Sequence, residues 1–255
     1  MNRFIAIIPA RYASTRFPGK PLALLGGKPV IEHVYTQVSR AIDNVVVATD
    51  DHRIADAVTR FGGKAVMTRS DHRSGTDRCY EAYLNHGGNE EIVINVQGDE
   101  PFVDPRQITA IMQCFDDPDT RIATLVKPVE KGLPFEALAN PNTAKVVVAA
   151  NGDALYFSRS VIPFLRGVPQ EQWTATHQFF THLGMYAYTA PTLARITALQ
   201  PSSLEIAESL EQLRWLQNGL TIKTAVTSHA TIGIDTPADL QAAERYLQQL
   251  TSQQQ

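Results

Sequence analysis

Phe4-Ile5-Ala6-Ile7-Ile8 is apolar at every position, which leaves no residue for a wet face, and it runs directly into Pro9-Ala10-Arg11-Tyr12-Ala13-Ser14-Thr15-Arg16-Phe17-Pro18-Gly19-Lys20-Pro21-Leu22. A short run of this kind, rich in β-branched residues, reads as a strand covered on both faces, as in a parallel sheet flanked by helices. Pro9 has no N–H to give to a ladder, so the strand is expected to end there. The loop then leaves the carboxyl edge of the sheet, where open α/β sheets bind their ligands. Arg11, Arg16 and Lys20, with the Ser14 and Thr15 hydroxyls and the amides near Gly19, read as a receptor for a polyanion such as a triphosphate. A solvated basic surface loop is the alternative. The spacing is not that of a Walker A loop, because Gly19-Lys20 is followed by Pro21 instead of a hydroxyl residue.

Alternation continues along the chain. Pro29 to Val38 has helical apolar spacing behind a proline at the start, Val45 to Thr49 is a second buried strand, Ile54 to Phe61 is a helix closed by Gly62-Gly63, and Lys64 to Met67 is a third strand. This predicts an α/β fold with a doubly wound, mostly parallel sheet and right-handed crossovers, and the lack of Gly-x-Gly-x-x-Gly after the first strand argues against a dinucleotide dehydrogenase. With 255 residues and 44% hydrophobic content, one domain over 1-247 is expected, followed by a polar tail at 248-255. A net charge of −3 speaks against nucleic acid as a partner. Cys79 and Cys114 are too few for a disulfide framework, and no apolar run reaches the ~20 residues that span a bilayer. With no signal peptide before the first strand, a cytoplasmic protein with free thiols and no membrane partner is expected.

Ser70 to Arg78 is a polar loop in which Ser74 or Thr76 can cap a helix starting near Asp77. Ile92 to Val96 is another buried strand, and it runs into Gln97-Gly98-Asp99-Glu100-Pro101, setting carboxylates at the same sheet edge as the basic loop. Carboxylates facing a triphosphate receptor suit a hard divalent cation between them. Helix capping is the other use for such a pair, and Asp104 already fills that role for the helix Gln107 to Phe115. Beyond the strand Arg121 to Val126, roughly 128-190 reads as an antiparallel excursion, with a hairpin around Asn151-Gly152-Asp153 and a loose flap over Gln170 to Phe180. Leu204 to Leu216 has the spacing of one amphipathic helix, with Glu208 and Glu211 on one side. Thr236-Pro237 starts the last helix, which Asp235 either caps or leaves to point elsewhere.

Pro9 to Leu22 resembles the signature loop of the sugar-activating nucleotidyltransferases, and its form closely resembles that of the CMP-Kdo synthetases, the 3-deoxy-manno-octulosonate cytidylyltransferases. Ser-Gly-Thr-Asp-Arg at Ser74, Gln-Gly-Asp-Glu-Pro at Gln97, Tyr-Phe-Ser-Arg at Tyr156, His-Leu-Gly-x-Tyr at His182, Leu-Glu-Gln-Leu-Arg at Leu210 and Asp-Thr-Pro at Asp235 extend the resemblance in order. The resemblance implies a cytidylyltransferase that joins CTP and Kdo into CMP-Kdo and pyrophosphate for lipopolysaccharide biosynthesis, with Mg2+ as cofactor and a homodimer as the working form. It further implies that Pro9, Ala10, Arg11, Ser14, Arg16, Lys20, Ser74, Gly75 and Arg78 hold the nucleotide. The sugar falls to Gln97, Arg159, His182, Tyr186, Glu208 and Glu211, although His182 and Tyr186 read equally well as core residues. Asp99 and Asp235 are implied as metal ligands, and they share the catalytic role with Lys20, Arg11 and Arg16. Transfer to another 2-keto sugar acid, an 8-amino-octulosonate or a sialic acid, is the alternative activity. A catalytically silent nucleotide-sugar sensor is the alternative of a different class.

Overall fold

A computed structural model describes residues 3–14, 16–229 and 232–252. The chain divides into two compact units, Met1–Ile108 with Thr231–Gln255, and Thr109–Ala230. In chain order the first unit contains β1 (Phe4–Ala10), a 3-10 turn at Lys20–Leu22, the small hairpin β2 (Leu24–Leu25) and β3 (Lys28–Pro29), α1 (Val30–Val38), β4 (Val45–Thr49), α2 (His52–Arg60), β5 (Ala65–Met67), α3 (Gly75–His86) and β6 (Ile92–Asn95). The division between the units falls inside α4 (Pro105–Gln113).

The four long strands of the first unit lie in the order β6-β1-β4-β5, all parallel. Their buried character explains the pairing, since Ile5 to Ile8, Val45 to Ala48 and Val93 to Ile94 are all 0% exposed. The spatial order is fourth, first, second, third, so the winding reverses between β1 and β6, and the loops leaving those two strands diverge to open a crevice. Helix starts follow the sequence. Asp51 Oδ1 accepts from Arg53 N at α2, Ser74 Oγ from Asp77 N at α3, and Asp104 Oδ1 from Arg106 N at α4.

One boundary differs. Strand β1 does not stop before Pro9 but continues through Pro9↔Ala48 and Ala10↔Thr49 beside β4, whereas its pairing with β6 ends at Ile7↔Asn95. A proline is tolerated where one flank of a strand has lost its neighbour.

The second unit follows with β7 (Ile122–Pro128), α5 (Phe135–Leu138), β8 (Lys145–Val148), β9 (Ala154–Ser158), α6 (Trp173–Thr176), β10 (Phe180–Thr189), α7 (Ala190–Thr197), α8 (Ser203–Glu208), α9 (Gln212–Gln217) and β11 (Lys223–Val226). Here β10 runs antiparallel to β7 and β8, β8 and β9 form the expected hairpin with Gly152 at φ 84, and β11 lies parallel to β7. The antiparallel excursion is therefore present.

Three expectations are corrected. The single helix over Leu204 to Leu216 is two helices, because Ser209 takes a left-handed conformation (φ 50, ψ 47) that ends α8. Glu208 consequently closes α8 while Glu211 sits at the N-terminal cap of α9, so the two do not share a helix face. Gln170 to Phe180 is no loose flap, since Trp173 and Phe179 are buried in one cluster with Val129 and Leu138 and their rings stack 6.1 Å apart. The last helix, α10 (Pro237–Ser252), carries the chain past Gln248. It is anchored by Ala243, which joins Leu25, Val30 and Ile234 in a cluster with Leu240 and Leu247 packed against it. Residues 253-255 of the expected tail lie outside the described residues.

Candidate active site

The crevice at the carboxyl ends of β1 and β6 is built by three segments drawn together through their backbones. Ile234 N donates to Asp99 O (2.9 Å), which ties the approach to α10 to the loop after β6. Gly98 allows that loop to touch the end of β1, because a Cβ at Gly98 would lie 2.5 Å from Pro9 O. The glycine thus serves a backbone contact within the protein. The basic loop is closed by Gly19 N donating to Tyr12 O (2.9 Å), with Gly19 left-handed at φ 72. Tyr12 lies against Gly19 and carries the Arg53 guanidinium 3.4 Å from its ring centroid. Arg53 is in turn gripped by both oxygens of Asp51 (2.9 and 2.6 Å).

This scaffold delivers charge to one point. Lys20 Nζ donates to Asp99 Oδ2 at 2.6 Å and to Asp235 Oδ1 at 3.1 Å, and Arg16 Nη2 stands 3.2 Å from Asp235 Oδ2. The competing role for Asp235, capping α10, belongs to its neighbours. Asp239 Oδ2 accepts from the backbone N of Asp235 and Thr236 (3.0 and 2.8 Å), and Thr236 Oγ1 accepts from Asp239 N (3.2 Å). Hydrogen bonding from Thr236 is the largest influence holding the Asp239 carboxyl below its ordinary pKa. The carboxylate of Asp235 is thereby left to face Lys20 and Arg16.

Arg11, Ser14, Pro21, Gln97, Gly98, Ser74 and Gly75 line the same crevice, with Pro9, Ala10 and Arg78 beside them. Thr15, part of the expected receptor, lies outside the described residues. Arg78 is buried, donating to Thr68 Oγ1 (2.6 Å) with Asp50 Oδ2 at 3.3 Å, so it braces the loop that carries Ser74. His72 also lines the crevice, and sequence reasoning passed over it although it sits inside the Ser70 to Arg78 loop. Its Nε2 pairs with Glu81 Oε2 on α3. Burial works against the Glu81 carboxylate, yet the bonds from His72 and Arg69 N outweigh it and keep the pKa below the usual range. Neither cysteine lines the crevice, and burial pushes the Cys114 thiol up to about 11.

Of the residues expected around the sugar, Gln97 is in this crevice, and the others belong to the second unit. There Arg159 is heavily engaged: Nε donates to Glu208 O (2.6 Å), Nη1 to Pro141 O (2.8 Å) and Nη2 to Ser209 O (3.2 Å). Glu208 accepts from Ser158 Oγ (2.6 Å) and Arg159 N (2.9 Å). Close by, Lys145 is fully buried and donates to the carbonyls of Asn140 and Thr143 (2.9 and 2.7 Å). Burial first, and then the charge of Arg159, lower its pKa.

His182 and Tyr186 follow on β10, their rings 5.2 Å apart. The imidazole is enclosed although the residue keeps some surface, and burial pushes its pKa down to about 4. It is therefore neutral near pH 7. Thr124 Oγ1 donates to Met185 O (2.8 Å) and lies 3.0 Å from His182 Nε2, an arrangement that assigns the imidazole proton to Nε2. Burial and then the charge of Glu211 raise the Tyr186 phenol well above its ordinary value. Trp215 Nε1, whose ring lies 5.0 Å from that of Tyr186, and Gln212 Nε2, neither of which the sequence singled out, are buried without a hydrogen-bond partner among the described residues.

A family model described as Cytidylyltransferase matches residues 5–222. The chain belongs to that family. Among cytidylyltransferases similar to it, the 3-deoxy-manno-octulosonate cytidylyltransferase of Phocaeicola vulgatus is 60% identical over 247 residues, 97% of this chain and 98% of that protein. The enzyme of the same name from Bacteroides thetaiotaomicron is 58% identical over 245 residues, 96% of this chain and 98% of that protein. A solved CMP:2-keto-3-deoxy-manno-octonic acid synthetase complexed with CTP superposes with a TM-score of 0.88 at 43% identity, covering 97% of this chain and 99% of that one. In this cytidylyltransferase chain, every described residue expected on the nucleotide side, with both expected metal carboxylates, lines the one crevice.

Proposed function

We propose that this cytidylyltransferase activates 3-deoxy-manno-octulosonate, converting CTP and Kdo into CMP-Kdo and pyrophosphate. The observation that carries the proposal is the convergence of Arg16, Lys20, Asp99 and Asp235 at the reversal of the parallel sheet. Cations there suit a triphosphate, and the carboxylate pair suits a divalent ion. Fit to such an ion is supported by the Lys20 ammonium, a cation already held by both carboxylates. Among the described residues no group of three or more His, Cys, Asp or Glu side chains comes together. A Mg2+ ion on Asp99 and Asp235 would therefore complete its shell with phosphate, sugar and water oxygens. When bound, it supplies charge neutralisation at the reacting phosphate.

In the reaction the anomeric hydroxyl of the sugar attacks the α-phosphorus and releases its proton to solvent, the bond from the α-phosphorus to the oxygen that bridges to the β-phosphate breaks, and pyrophosphate departs with that oxygen. Arg11, Arg16 and Lys20 bind the phosphates and neutralise the charge that spreads toward the leaving group. Ser74 and Gly75 meet the cytosine on the loop that Arg78 braces. Gln97, Arg159, His182, Tyr186, Glu208 and Glu211 serve the sugar, the neutral His182 as a hydrogen-bonding group and not as a charge. No covalent intermediate is needed, because positioning alone joins the two substrates. A homodimer, a cytoplasmic setting and a role in lipopolysaccharide biosynthesis accompany this reading, and light scattering on the purified chain tests the first.

Pyrophosphate release over the four nucleoside triphosphates and a panel of keto-sugar acids tests the assignment, and turnover is expected to be highest with CTP and Kdo. Preference for an 8-amino-octulosonate or a sialic acid would reassign the sugar, and no turnover with any pair would favour the sensor. Asp235→Asn is expected to fold and bind CTP yet lose most turnover, with partial recovery at high Mg2+. Full activity in that variant, or turnover indifferent to EDTA, would remove the two-carboxylate site.

A further inference from the structure

Lys20 occupies the place in the crevice where a metal ion would be most useful. Its ammonium lies between Asp99 Oδ2 (2.6 Å) and Asp235 Oδ1 (3.1 Å), close enough to both to act as their shared counter-ion. Its side chain is only 13% exposed, whereas Asp99 and Asp235 are 31% and 47% exposed, so the lysine is the enclosed member of the trio. Its position is set by the backbone, with left-handed Gly19 before it and buried Pro21 after it in the 3-10 turn. Arg16 approaches the second oxygen of Asp235. One ammonium and one guanidinium thus face two carboxylates, and the group is electrically balanced without any ion from solution.

A dication bound to both carboxylates would meet the ammonium at near-contact range, where like charges repel strongly even with partial screening. Triphosphate changes that balance, because it brings several charged oxygens that form charge-assisted bonds with an ammonium, while Arg16 stays beside Asp235. We infer that Lys20 is a displaceable internal counter-ion: it excludes free divalent metal from Asp99 and Asp235 until a triphosphate draws its ammonium away, so metal and nucleotide enter together. This rests on the reading of Asp99 and Asp235 as the ion-binding pair. Metal and triphosphate are then coupled through one side chain with two sets of partners.

Mn2+ binding to the full nucleotide-free chain, followed by electron paramagnetic resonance, tests the inference without any turnover. Wild type is expected to bind Mn2+ no more tightly than ~1 mM, the range of weak carboxylate sites. Lys20→Met and Lys20→Gln, checked for folding by thermal melting, are expected to bind one Mn2+ about tenfold or more tightly than wild type. Adding Asp235→Asn to Lys20→Met should abolish that gain. Submillimolar binding by wild type would overturn the counter-ion role on its own, whatever the variants do. Equal affinity in wild type and both Lys20 variants would overturn it too, and the reading of Asp99 and Asp235 as the ion-binding pair would survive if Asp235→Asn then lost the ion. A gain in Lys20→Met that persists with Asp235→Asn would instead refute the reading of the carboxylates, and the inference with it.

Discussion

Lys20 and Arg16 illustrate how much a residue type announces through its chemistry alone. Fixed cations in a loop after a buried strand read either as an anion receptor or as a solvated surface, and the fold brings both residues to the carboxylates of Asp99 and Asp235. Lys20→Ala and Arg16→Ala are each expected to lower turnover with CTP by roughly 10²–10³, the usual loss on removing one group aimed at transition-state charge. Steady-state pyrophosphate release, read beside an unchanged far-UV spectrum, checks this. His182 shows the opposite case, since nothing in its sequence context distinguishes a charged imidazole from a neutral one. Its folded pKa of about 4 lies below the unfolded value of ~6.5, so the unfolded chain takes up a proton that the folded chain refuses. The stability this contributes is complete above pH ~6.5 and declines as pH falls toward 4, by on the order of 3 kcal/mol in all. Urea unfolding of wild type and His182→Gln between pH 7 and 4.5 should show the slope in wild type and a flatter profile in the variant.

At the scale of elements, strands were easier to read than the helix after Ser202. Val45–Thr49 and the β8–β9 hairpin follow from runs of buried β-branched residues and from Asn151-Gly152-Asp153. The break between α8 and α9 does not follow from spacing, because Leu210 and Leu213 are buried as one continuous helix would have them. Tertiary bonds override the period. Arg159 draws on the carbonyls of Glu208 and Ser209, while Arg214 spans the break to grip Glu205 (2.7 and 2.5 Å) and the carbonyl of Leu199 (2.9 Å). A left-handed residue costs roughly 1–2 kcal/mol for an L-amino acid and more when β-branched. Ser209 already carries that cost, so Ser209→Val is expected to destabilise the chain by the further strain of β-branching, and Ser209→Gly to be neutral or stabilising by up to ~1 kcal/mol. Denaturant midpoints of the two variants test the pair together, and a Val variant as stable as the Gly variant would contradict the left-handed break.

For the molecule as a whole, binding should appear as stability. CTP with Mg2+ at about 100 times its dissociation constant is expected to add ~2.7 kcal/mol, visible as a rise in Tm, and Asp235→Asn should lose the part of the rise that depends on Mg2+. What the sequence by itself determined is the α/β class, the strands and the chemistry of the basic loop, because periodicity, proline and fixed charge act over a few neighbouring residues. It also marked Asp99 as a carboxylate at a strand end and Asp235 as one beside the start of the last helix. Only the tertiary structure decided that Lys20 lies between them, that Thr236 and Asp239 relieve Asp235 of capping α10, and that His182 is neutral. Those facts depend on distances between segments far apart in the chain and on the loss of water around a side chain. Neither quantity exists until the chain has folded.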